Sequence, residues 1–92
     1  MANWMPEKSL AFHAGGTIND FDRDCGDSPI GRLEFHYNVA MRKISEGDRE
    51  GAIRHFDECI QSSLIDSGYF QWAKAFRRLL VDNPEWANLA DR

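Results

Sequence analysis

Residues 33–64, LEFHYNVAMRKISEGDREGAIRHFDECIQSSL, decide the architecture. With Ile30 just upstream, Leu33, Tyr37, Ala40, Met41 and Ile44 recur at steps of three and four, which sets them along one side of a helix. Phe35 and Val39 fall off that stripe, so this helix is covered on more than one side. Its start lies just upstream at Ser28-Pro29, a capping hydroxyl followed by a proline whose missing N–H costs nothing in the first turn. Gly47 ends it and Asp48 caps the next helix, a connection short enough to make the two helices antiparallel neighbours. In that second helix Ala52, Ile53, Phe56, Cys59, Ile60 and Leu64 form one stripe, and Glu50, Arg54, Asp57 and Glu58 face water.

Downstream, Asp66-Ser67-Gly68 breaks the pattern and caps a third helix. Tyr69, Phe70, Ala73, Phe76 and Leu80 point inward there, with Trp72 and Leu79 alongside. Asn83-Pro84 stops it, and residues 85–89 are expected to add one turn carrying Trp86 and Leu89. Upstream, Pro6 to Ala14 reads as a short helix presenting Leu10, Ala11 and Phe12, ended by Gly15-Gly16. Thr17 caps a second short piece in which Ile18, Phe21 and Cys25 share a face. No alternating β-branched run appears, so the expected fold is all-α, built of antiparallel helical hairpins. One domain of 92 residues is expected: a short helical pair over 1–28, a hairpin over 29–64, and a closing helix with its terminal turn over 66–92.

The hairpin resembles a tetratricopeptide repeat. That repeat is a helix–turn–helix with W-x2-L-G-x2-Y, then A-x3-F, then P. Here the slots read His36-x2-Val39-Ala40-x2-Lys43, then Gly47, then Ala52-x3-Phe56-x2-Cys59. Small Ala40 and Ala52 suit a close helix crossing, and Phe56 suits the space beside it. His36 stands in place of Trp, Lys43 in place of Tyr, and Leu64 in place of the closing Pro. Phe70-x2-Ala73 is similar to the start of a further repeat. The resemblance implies a fragment of an α-solenoid that binds other proteins and carries no catalytic group.

The residues themselves offer little chemistry. Asp20, Asp22 and Asp24 occupy the first, third and fifth places of a calcium loop. Cys25 stands where the loop needs glycine, and Gly31 where a bidentate Glu should close the shell, so no metal site is expected. His13, His36 and His55 form no ligand spacing; His36 reads as a hydrogen-bonded packing residue and His55 as solvent-facing. Cys25 and Cys59 match no zinc pattern and are too few for a disulfide framework, and no cofactor motif is present. Eleven basic against fifteen acidic side chains, net −4, argue against a nucleic-acid or anionic-membrane surface. No apolar run reaches the ~20 residues that span a bilayer, and the N-terminus lacks the basic and apolar regions of a secretory signal. The expected compartment is the cytoplasm.

The expected function is therefore protein binding on a helical groove. Tyr37, Met41 and Ile44 are the candidate anchors, with Glu34 and Asn38 beside them on the same face. Basic residues gather on the first long helix, Arg42 and Lys43, and on the third, Lys74, Arg77 and Arg78; of these Lys74 and Arg78 are candidates for docking an acidic segment. Self-association as a structural homodimer is the alternative, since the apolar ends of so short a helical stack need cover. A metal-assisted hydrolase built on the aspartates is a remote third.

Overall fold

The computed structural model describes residues 7–62 and 64–83. Over these the chain forms five helices and no strand: α1 (Glu7–His13), α2 (Ile18–Cys25), α3 (Pro29–Ser45), α4 (Arg49–Gln61) and α5 (Gly68–Asp82). Pro6 and the turn expected over 85–89 lie outside the described residues. Each helix start from α2 onward is set by the side chain expected there. Thr17, Ser28, Asp48 and Ser67 accept from the backbone N–H of Asp20, Gly31, Gly51 and Tyr69, satisfying donors that the first turn leaves open.

The α3–α4 turn is closed at Gly47, whose φ of +79° an L side chain rarely adopts. Its N–H reaches Ile44 O, and the Asp48 N–H reaches back to Lys43 O, a pairing that satisfies the carbonyls left open at the end of α3. The chain reverses there. Cys59 Sγ meets Leu33 O at 3.6 Å, and His55 meets His36, so α4 runs antiparallel to α3. Then α5 runs back along α4: Arg49 Nε donates to Leu80 O, and Arg77 pairs with Asp57.

Two apolar clusters flank α3. Leu33, Ala40, Ala52, Phe56, Cys59, Ala73 and Leu80 form the one that joins α3, α4 and α5. Ala40 and Ala52 are both fully buried within it. The other joins α1, α2 and α3 through Phe12, Phe21, Cys25, Phe35 and Val39. The off-stripe Phe35 and Val39 thus cover a second side of α3. The two cysteines belong to different clusters, and burial pushes the Cys59 thiol up to about 12, so it packs as a small apolar group.

The short helix α1 differs from its expected register. Leu10 is exposed and Phe12 is the buried residue. The reason is long-range: Phe12 stacks on Phe21, and the Arg42 guanidinium lies 3.6 Å from the Phe12 ring centroid. Arg42 also donates to the carbonyls of Phe12 and Gly16, so it is the tie that docks α1 onto α3. The aspartates of residues 20–27 also differ from loop geometry. Asp20, Asp22 and Asp24 lie on α2, where Asp22 points to the opposite side from the other two. Asp20 pairs with Arg23 and Asp22 with Arg32. Among the described residues no three metal-ligating side chains converge, and no helix is long and apolar enough to cross a membrane.

Candidate functional site

The candidate residues fall on two separate surfaces, divided by α5. Tyr37 projects from α3 toward α5, its ring 5.0 Å from Tyr69 and 6.5 Å from Phe76 by centroid. Phe76 stacks in turn on Trp72 at 5.9 Å. A continuous aromatic row, Tyr69–Tyr37–Phe76–Trp72, therefore crosses from α3 to the surface of α5, where Trp72 remains 58% exposed. Leu79, two helical turns beyond Trp72 on the same flank, is exposed too. Met41 and Ile44 are partly buried against the α3–α4–α5 cluster. Among the described residues, rings of α5 cover the Tyr37 face.

Glu34 and Asn38 frame the cleft differently. Glu34 is half-buried, and its charge joins burial in raising the Tyr69 pKa. Asn38 is buried: its Nδ2 donates to Glu34 O, and its Oδ1 lies 3.0 Å from His13 Nε2, which must hold the proton because the amide oxygen can only accept. Its Oδ1 thus helps fasten α1 to α3 while its Nδ2 is taken up within α3, although its spacing had set it beside the anchors.

On the other flank of α5, Lys74 and Arg78 rim a groove with Arg77, floored by Ile60 and Val81. Arg77 is fixed by its pairing with Asp57, whereas Arg78 stands 3.7 Å from Asp82 with most of its side chain in water. In the sequence Trp72 and Leu79 stand alongside the inward stripe, each one position before Ala73 and Leu80, and that offset of one residue is the signal that sets them on the flank.

A third arrangement joins α3 to α4. His36 and His55 meet tip to tip, Nδ1 to Nδ1 at 3.0 Å with ring centroids 5.2 Å apart, so one ring donates its proton to the other. His55, expected in solvent, is half-buried because the Phe35 and His36 rings receive it. Burial lowers the pKa of both; the His36 charge adds to the lowering at His55, with Lys43 and Arg54 behind it. Glu58 opposes the shift at both, Arg32 lowers His36 further, and Asp22 raises it. A second proton would set two N–H groups against each other across the bond.

The sign of the linkage follows. The unfolded chain takes up protons at His36 and His55 near pH ~6.5 more readily than the fold does. Stability from this pair is whole above that pH and declines as pH falls below it toward the lowered folded values. Chemical denaturation at about pH 7.5 and pH 5.5 should show a loss at the lower pH that shrinks in the His36→Gln, His55→Gln double variant. An unchanged loss in that variant would assign the dependence to other groups.

No family model, curated protein or solved structure matches the chain.

Proposed function

We propose that the protein is a non-catalytic protein-interaction module, a tetratricopeptide-like helical fragment that takes a partner segment along the α3–α5 flank. The observation that carries this reading is the aromatic row ending in exposed Trp72, backed by half-buried Tyr37 and Phe76. A large ring held in place by stacked neighbours loses little freedom on binding, which is the character of an interface anchor. Met41 and Ile44 supply apolar ground beside it, and Glu34 a polar margin. The repeat resemblance supports the reading through Gly47, which closes the α3–α4 turn, and through Ala40, Ala52 and Phe56, which are fully buried.

The test is Trp72→Ala. Its side chain has few contacts to lose, so the variant should melt within ~1 kcal/mol of the parent. Capture of partners from the native host should fall by about tenfold or more, as for removal of an interface anchor. Equal capture by parent and variant would remove Trp72 from the binding surface. Sedimentation over a range of concentrations tests the homodimer alternative: a monomer throughout leaves the flank to a different protein, and a dimer lost on Trp72→Ala gives it to a second copy.

A further inference from the structure

The flank of α5 away from Trp72 holds an apolar groove of about 270 Å³ with a basic rim. Ile60 of α4 and Val81 of α5 form its floor, and Lys74, Arg77 and Arg78 stand around it with Asp82 at one end. We propose that this groove docks an acidic, amphipathic helical segment of a partner protein. An apolar side chain of the segment would lie on Ile60 and Val81, with carboxylates one turn apart meeting Lys74 and Arg78. The proposal shares with the function proposed above only the premise that the partner is a protein; the surface is a separate one.

Charge is the ground for the choice of occupant. In a chain of net −4, three cations and a single carboxylate line this groove among the described residues. Asp57 already holds Arg77. The other two cations are uncommitted in energetic terms. Among the described residues Lys74 has no carboxylate partner, its Nζ lying 5.6 Å from the Phe70 ring centroid. The Arg78–Asp82 contact is solvent-exposed on both sides, and such pairs contribute little. Lys74 and Arg78 are four residues apart, so their charges lie about one turn, ~6 Å, apart along α5. A helix carrying Glu at the same interval presents carboxylates at the matching distance. Val81, 43% exposed between them and the end of the helix, gives an apolar contact that a purely ionic surface would lack.

The test uses the full chain, isotope-labelled for amide NMR, and two synthetic helical peptides. Both have the same leucine stripe; one carries Glu at four-residue intervals beside it, the other Lys. The Glu peptide should shift the amides of Ile60, Lys74, Arg78 and Val81, and its affinity should fall severalfold between about 0.1 and 0.5 M salt. Lys74→Glu with Arg78→Glu should weaken it by about tenfold or more, the Gln pair should weaken it less, and Trp72→Ala should leave it unchanged. Equal binding of the Lys peptide, shifts gathered around Trp72 and Leu79, or no shift at millimolar peptide would overturn the proposal. So would salt-sensitive oligomers abolished by Asp20→Asn with Asp24→Asn, which would give the groove to the acidic edge of a second copy. Loss of capture with Trp72→Ala tests the α3–α5 flank, and loss of the Glu peptide with the charge reversal tests this one, so either can fail without the other.

Discussion

Replacing Phe56 by Ala should cost ~3–5 kcal/mol, the range for deleting a fully buried aromatic ring. Phe56 is wholly buried at the point where α3, α4 and α5 meet. Its ring packs edge-on to Tyr37 at 6.1 Å and stacks on Phe76 at 5.9 Å, so neighbours from two other helices lose contact together. The hole cannot close easily, because Ala40, Ala52 and Ala73 around it have no side-chain length with which to fill it. A domain of this size has ~5–15 kcal/mol in all, so the loss is a large part of the whole. Guanidinium unfolding should show the midpoint fall steeply, and the melting temperature should drop by ~15 °C or more.

Both clusters should be lost in one transition. α3 gives Leu33 and Ala40 to one cluster and Phe35 and Val39 to the other, so neither survives without it. A change below ~1 kcal/mol would mean that Phe56 is not held as described.

The local signals of the sequence were sufficient for the helices and insufficient for much of what joins them. Thr17, Ser28, Asp48 and Ser67 cap helices because a short side-chain oxygen next to an open N–H is a matter of two or three residues, and sequence carries that directly. The stripes of α3, α4 and α5 are legible for the same reason except at two ends: Ile30 is 52% exposed in the first turn of α3, and Leu64 lies past Gln61, where α4 stops. Arg42 is different. Next to Lys43 it reads as a solvated charge, and only the arrival of α1 turns it onto Phe12 and Gly16. That Phe12 alone of Leu10, Ala11 and Phe12 is buried follows from that contact, since seven residues are too few to fix a helical face by periodicity. Likewise His55 is polar on a polar face until His36 meets it from another helix.

The candidate site divides along the same line. Tyr37, Met41 and Ile44 share a helical face by spacing, and that spacing holds. What spacing cannot show is the side from which α5 approaches. That approach leaves Trp72 on the Tyr37 side and carries Lys74 and Arg78 to the other, joined there by Arg77 from across the Asp57 pairing. Asn38 has the right spacing as well, but α1 lies over it and takes up its amide.

Replacing Gly31 by Ala sets two opposing effects against each other, and their sizes decide the sign. Gly31 is the third residue of α3, where alanine is the better helix former by ~1 kcal/mol. Against this, a Cβ at Gly31 would sit 2.2 Å from the carbonyl oxygen of Cys25 and 3.0 Å from Ser28 Oγ. The hydroxyl can turn away only by giving up the cap on the Gly31 N–H, and the carbonyl is backbone at the end of α2 with no rotamer to change. Relief requires α2 to shift off α3, loosening the Phe21–Phe35 contact at 5.8 Å and the Arg32 pairing with Asp22. Forced displacement of packed elements costs ~1–3 kcal/mol and sometimes more, and an overlap with rigid backbone belongs at the upper end. Gly31→Ala should therefore destabilise by ~2 kcal/mol or more in urea unfolding, despite its helical gain. Gly68→Ala is the matched comparison, since nothing lies within 4 Å of a Cβ there, at the first residue of α5. It should be neutral or stabilise by up to ~1 kcal/mol through the unfolded chain. If the two variants instead behave alike, the end of α2 does not rest on the first turn of α3.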